Sequence, residues 1–126
     1  MAKAVPDAVL DTALDDIALS TILHICSGQP ANYAGIAAVS LGSVVLTAGD
    51  GNGDFTIANG DTSGRKLTVA AQTTVSITAS DTATHLALAS TGDTTLRYVT
   101  TITSQAVTSG NTANIGAWDI EIADPT

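Results

Sequence analysis

The run Trp118–Ile122, "WDIEI", alternates strictly between apolar and acidic side chains. In an extended chain Trp118, Ile120 and Ile122 share one face, and Asp119 and Glu121 share the other. A helix would scatter these five residues around its circumference, so the pattern demands a strand with one buried face. Leu96, Tyr98, Thr100 and Ile102 repeat it against Arg97, Val99, Thr101 and Thr103. Further short runs have the same character: "STILHICS", "SVVLT", "DFTIA", "RKLTVAA", "TVSITA", "THLALAS" and "NTANIGA". Turn signals stand at "ANGD" (Asn59-Gly60), "TGDT" (Gly92-Asp93) and "SGNT" (Gly110-Asn111). Period-two runs broken by turns every eight to twelve residues or so specify a mainly β fold, an antiparallel sandwich or jelly-roll-like domain.

One helix precedes the strands. Val9, Leu10, Ala13, Leu14, Ile17 and Ala18 recur at three- and four-residue spacing, which predicts a helix over residues 7–19. Asp7 is expected to cap its first turn. Asp15 and Asp16 lie at the end where the helix dipole disfavours negative charge, so the helix must depend on packing. The expected organisation is a single domain over 1–126: an N-terminal arm (1–6), the helix, and a β-sandwich over 20–126.

Charge narrows the function. Twelve acidic residues against four basic ones give a net charge of −8. That balance argues against direct nucleic-acid binding, which needs Lys and Arg to neutralise phosphates, and against docking on an anionic membrane. Aromatic residues are only 3% of the chain, which disfavours carbohydrate or receptor binding through Tyr and Trp anchors. The opening "MAKAVPDAVLD" has no apolar run behind Lys3, so no secretory signal is expected. No Asp, Glu, Lys or Arg occurs from Ile17 to Gly49, but Gly28, Pro30, Gly35 and Gly42 break that span as a membrane helix. Its lack of charge makes it a candidate contact surface, with Val39 and Val45 as test positions and Thr101, expected on a solvated face, as the control.

"DGNGDFTIANGD" is the strongest candidate site. Asp50, Asn52, Asp54 and Asp61 fall at positions one, three, five and twelve of a calcium loop, whose ligands are hard oxygens. Phe55 occupies the sixth position, where a glycine is needed, and strands rather than helices flank the loop. A Gly/Asp/Asn-rich turn whose side chains bond their own backbone explains the pattern better. Gly60, Gly64 and Lys66 have the wrong spacing for a phosphate loop. Arg65 and Lys66 fit a solvated or edge-protecting pair, or else a salt bridge to an acidic neighbour.

His24 and His85 each lie inside an apolar strand, with no Cys or carboxylate expected on the same face within a few residues. Both are expected to be half-buried and hydrogen-bonded. Cys26 has no disulfide partner and acts by default as a small apolar residue, and Trp118 as a core or interface anchor. No catalytic residue, cofactor or metal site is expected.

Taken together, "PDAVLDTALDDIA", "GDTSGRKLTVAA", "TATHLALAS" and "TSQAVTSGNTANIGAWDIEIADPT" resemble a group of small proteins encoded among the virion structural genes of tailed double-stranded DNA bacteriophages and prophages. The resemblance spans nearly the whole chain and is strongest from Gly60 to Thr126. It implies a virion component made in the host cytoplasm. By analogy with small acidic β-proteins of that setting, it implies a capsid decoration or cement protein. The partners implied are the major capsid protein and further copies of the chain, as a homodimer or homotrimer. A tail, fibre or head–tail connector component is the alternative.

Overall fold

The computed structural model describes residues 4–125. The chain is mainly β and antiparallel, with one N-terminal helix. Its elements are α1 (Asp7–Ala18), β1 (Ile22–Cys26), a single helical turn α2 (Ile36–Val39), β2 (Ser40–Val45), β3 (Phe55–Asn59), β4 (Arg65–Val69), β5 (Gln72–Ser76), β6 (Asp81–Ser90), β7 (Thr95–Val107), β8 (Thr112–Ile115) and β9 (Trp118–Ile122). Each run expected to be a strand overlaps one. α2 lies in a segment expected to be a loop.

The strands form three sheets ordered β2-β1-β6-β7, β3-β4-β9 and β5-β8. A bridge between Gly42 and Ile77 joins the four-stranded sheet to the segment following β5. The pairs β4–β9, β5–β8 and β6–β7 are nested, as though one long hairpin had been rolled over, and this gives the sandwich-like domain its jelly-roll-like winding. The core takes Leu23, Ile25, Leu86 and Leu88 from the first sheet, and Phe55, Leu67, Val69 and Ile120 from the second. Val75 joins them from the small sheet, and Leu14 and Ala18 from the helix.

The helix departs from expectation in three respects. Pro6 occupies the N-cap position and no side chain caps the turn, so Asp7 contributes charge at the first turn without a capping hydrogen bond. The buried stripe is narrower than the spacing implied: Leu10, Leu14 and Ala18 are buried, whereas Val9 and Ala13 face solvent. The helix ends one residue early, at Ala18. Its free carbonyls are met by the Leu19 and Ser20 amides and by the Gly49 amide, which donates to Ala18 O at 2.8 Å. Of the arm expected over residues 1–6, residues 1–3 lie outside the described residues.

Two irregularities in the β6–β7 ladder matter below. Register steps from Leu88↔Tyr98 to Ala89↔Leu96, leaving Arg97 as the extra residue of a bulge. It also steps from Ala83↔Gln105 to His85↔Thr101, so that Ile102–Ser104 lie opposite Thr84 alone.

Burial accounts for part of the uncharged Ile17–Gly49 span. Strand β1 is internal to its sheet, and Leu23, Ile25, Cys26, Ile36 and Leu41 are buried. Val39 is half-buried, whereas Val45 at the edge is 78% exposed.

Candidate functional site

The polar side chains of the loop from Asp50 to Asp61 are engaged in hydrogen bonds within the chain. Asp50 Oδ1 accepts from the Ile57 amide at 2.9 Å. Asp54 Oδ2 accepts from the Thr47 amide, and its Oδ1 accepts from Gln72 Nε2 at 3.1 Å. Asn52 donates its amide to Ala48 O, and Asp61 accepts from Lys66 Nζ. Left-handed backbone at Gly49, Gly51 and Gly53 (φ +102°, +81° and +112°) lets the chain turn sharply enough for these contacts. Phe55, at the position where calcium needs a glycine, is fully buried in the core. The acidic side chains therefore hold the turn, each on a donor of its own. Among the described residues no group of three or more His, Cys, Asp or Glu could hold a metal ion.

Arg65 and Lys66 are neither a solvated pair nor an edge guard, because β4 is the central strand of its sheet. Of the two expected readings, the salt bridge is the one found. Arg65 Nε donates to Asp11 Oδ1 at 2.7 Å and its Nη1 to Asn59 Oδ1, tying the sheet to α1. Lys66 pairs with Asp61 at 2.7 Å and lies 3.8 Å from Asp119. Both cations are held above their ordinary values, chiefly by the hydrogen bonds they donate to Asp11 and Asp61 respectively. Gly64 precedes them at φ +70°, where a Cβ would collide with the Ile122 carbonyl, so this glycine serves a turn and not a phosphate cradle.

Arg97, which the sequence reading left without a role, has the most engaged side chain of the three. It is 8% exposed and donates from Nε to Ser90 Oγ, from Nη1 to Asp16 Oδ1 and from Nη2 to Asp93 Oδ2. Ser90 in turn donates to Leu19 O at 2.9 Å. This resolves the unfavourable Asp16 at the helix C-terminus: its charge is paired with a cation on β7. The available signal was Asp93 four residues before Arg97 across a tight turn; the helix partner was invisible in sequence.

His24 Nδ1 hydrogen-bonds Ser40 Oγ at 2.9 Å, and His85 Nδ1 bonds Thr84 Oγ1 at 2.8 Å, both half-buried as expected. The expectation that no Cys shares their face is overturned. Cys26 lies opposite His85, and His24 lies opposite Ala87, so strand alternation puts all three on one face of the sheet. They do not make a nucleophile. Burial pushes the Cys26 thiol up to about 11, which leaves it protonated at neutral pH, and burial lowers His24 below its ordinary value.

One concave feature of the surface is a groove of about 410 Å³ between β7 and the β8–β9 segment. Leu86, Ile102, Val107, Ile115 and Trp118 give it apolar walls. Trp118 stacks on Tyr98 with ring centroids 6.1 Å apart, and its buried Nε1 has no hydrogen-bond partner. Nothing in the groove resembles an acid–base pair beside a nucleophile.

No protein-family model matches this chain, no curated protein matches it, and no solved structure matches it. Among the described residues no helix is long and apolar enough to cross a membrane.

Proposed function

We propose that the protein is a non-enzymatic structural component of a bacteriophage virion, a decoration or cement protein that binds the major capsid protein on the outer surface of the head. It acts there as a homodimer or homotrimer. The observation that carries this reading is the distribution of charge. Arg65, Lys66 and Arg97 are all held in internal ion pairs, so the outward-facing charge is overwhelmingly acidic. Uncharged exposed positions include Val45 on one edge and a continuous charge-free run along β7 and β8. A protein of this kind meets basic patches of a partner through its acidic surface and packs through strips free of like-charge repulsion. The sequence resemblance to small virion structural proteins supports the same setting.

Co-sedimentation tests it. Purified protein is mixed with capsid shells lacking it, and bound copies per shell are counted. Saturation on the order of hundreds of copies, matching repeated shell sites, is the expected result. Pelleting with isolated tails instead would transfer the assignment to a tail, fibre or connector role. Absence from every virion fraction would overturn both.

A further inference from the structure

We propose that the free edge of β7 is the surface through which two copies of the chain pair, strand to strand and antiparallel, closing the groove beside it. This deepens the self-association in the proposed function and rests on that part of it.

Among the described residues strand β7 pairs with β6 alone, and its other edge presents backbone groups with no partner strand there. At 13 residues it is the longest strand, and it contains no Pro and no Lys to discourage pairing. Its single charged residue, Arg97, is turned into ion pairs with Asp16 and Asp93. The two bulges leave Tyr98–Thr101 in uninterrupted register between them. The other edge of this sheet, β2, is six residues long and already partly covered: it bridges Ile77, and Leu41 O accepts from the Thr78 amide.

A second copy is the occupant that the charges select. Two chains of net charge −8 repel over most of their surfaces. From Tyr98 to Ala117 there is no Asp, Glu, Lys or Arg, so copies meeting along β7 bring no carboxylate of that strand into opposition. They set Thr, Val and Ile against one another, residues that pair well across strands. Identical antiparallel strands are self-complementary about a twofold axis, so the contact closes and uses both β7 edges. Because β7 also forms a wall of the groove, a strand laid along its edge covers the apolar mouth near Ile102 and Ile115.

The test uses the purified full-length protein without shells. Wild type is expected to sediment as a dimer. Thr101→Cys and Thr103→Cys each add one exposed thiol to a chain whose own Cys26 is buried. On mild oxidation at least one is expected to form a disulfide-linked dimer faster than Val45→Cys on the opposite edge. Thr101→Asp is expected to weaken dimerisation at least about tenfold, since it sets like charges face to face. Circular dichroism confirms that each variant is folded, and the thiol readout stands even if the Asp variant is not. A monomeric wild type, preferential cross-linking through Val45→Cys, or a folded Thr101→Asp variant with an unchanged dimer constant would overturn the proposal. Shell binding by a monomer would leave the virion role intact and sink this inference alone.

Discussion

The helix side of the molecule and the β7–β8 side are held together by different means. On the helix side, Arg65 and Arg97 each reach from a strand to α1, and Phe55, Leu14 and Leu67 fill the space beneath with no exposed surface. On the other side the chain runs from Tyr98 to Ala117 without a charge, and an open groove penetrates to Leu86. The difference separates two tasks. Ion pairs with defined donors fix one element on another within the monomer, whereas a hydroxyl-rich strip without charge leaves its backbone edge available.

The contrast is tested first by deletion of core volume. Phe55→Ala should cost about 3–5 kcal/mol, because a closed site cannot collapse around the cavity. Ile115→Ala, half-buried beside the groove, should cost less than about 2 kcal/mol. Urea unfolding that gives equal losses would show that the groove side is packed as tightly as the helix side.

Next in size is the ionic latch. Arg97→Ala should cost about 2–3 kcal/mol by the same measurement, less than a fully buried pair because Asp16 and Asp93 remain largely in water. Arg97→Lys should recover under half of that, since an ammonium cannot reach Ser90, Asp16 and Asp93 together as the guanidinium fork does. Full recovery by Lys would reduce the latch to its net charge.

The third effect depends on pH. Burial lowers His24 below its ordinary value of 6.5 in the folded chain, so the unfolded chain binds more protons in the window beneath 6.5. This contribution to stability is complete above that window. It falls as the pH drops towards the folded-state value and is constant below it. Comparing urea midpoints at about pH 7.5 and about pH 5.5 for wild type and His24→Asn isolates the effect, and an equal loss in both proteins would remove His24 as its source.

The smallest effect belongs to Trp118. Trp118→Phe keeps a ring against Tyr98 and removes a buried donor that lacks a partner, so stability should change by less than about 1 kcal/mol. A loss above about 2 kcal/mol would mean that Nε1 is satisfied in solution.

Much of this architecture is legible before any coordinates, for local reasons. Trp118–Ile122 shows its buried face because apolar and acidic residues alternate along it, and Ile120 is buried between exposed Asp119 and Glu121. β6 and β7 extend past the runs that announce them, because their outer residues, Asp81–Ala83 and Ser104–Val107, mix polar and apolar side chains without period-two alternation. The turn at Asp50–Asp54 was recognisable from its glycines, although which amide each carboxylate would hold was not. Pairing between distant segments leaves no trace in one strand's own sequence. Arg97 therefore looked like an ordinary solvent-facing residue, and the shared face of His24, Cys26 and His85 emerges only from the β1–β6 register.

The nested pairing of β6–β7 inside β5–β8 inside β4–β9 has a consequence for how the chain folds. Pairing distant strands carries a loop-closure cost that grows with the length enclosed, yet here each inner pair draws the ends of the next one together. The β6–β7 hairpin, closed by the turn at Thr91–Thr94, is the natural nucleus. Thr94 holds it in a left-handed conformation (φ 52°) that a β-branched residue resists. Replacing Thr94 with glycine should therefore speed refolding more than it slows unfolding, as read from the two arms of a chevron plot. A change confined to the unfolding arm would place the nucleus elsewhere. Assembly from the inside outwards leaves β4, the centre of its own sheet, waiting longest for its β9 neighbour.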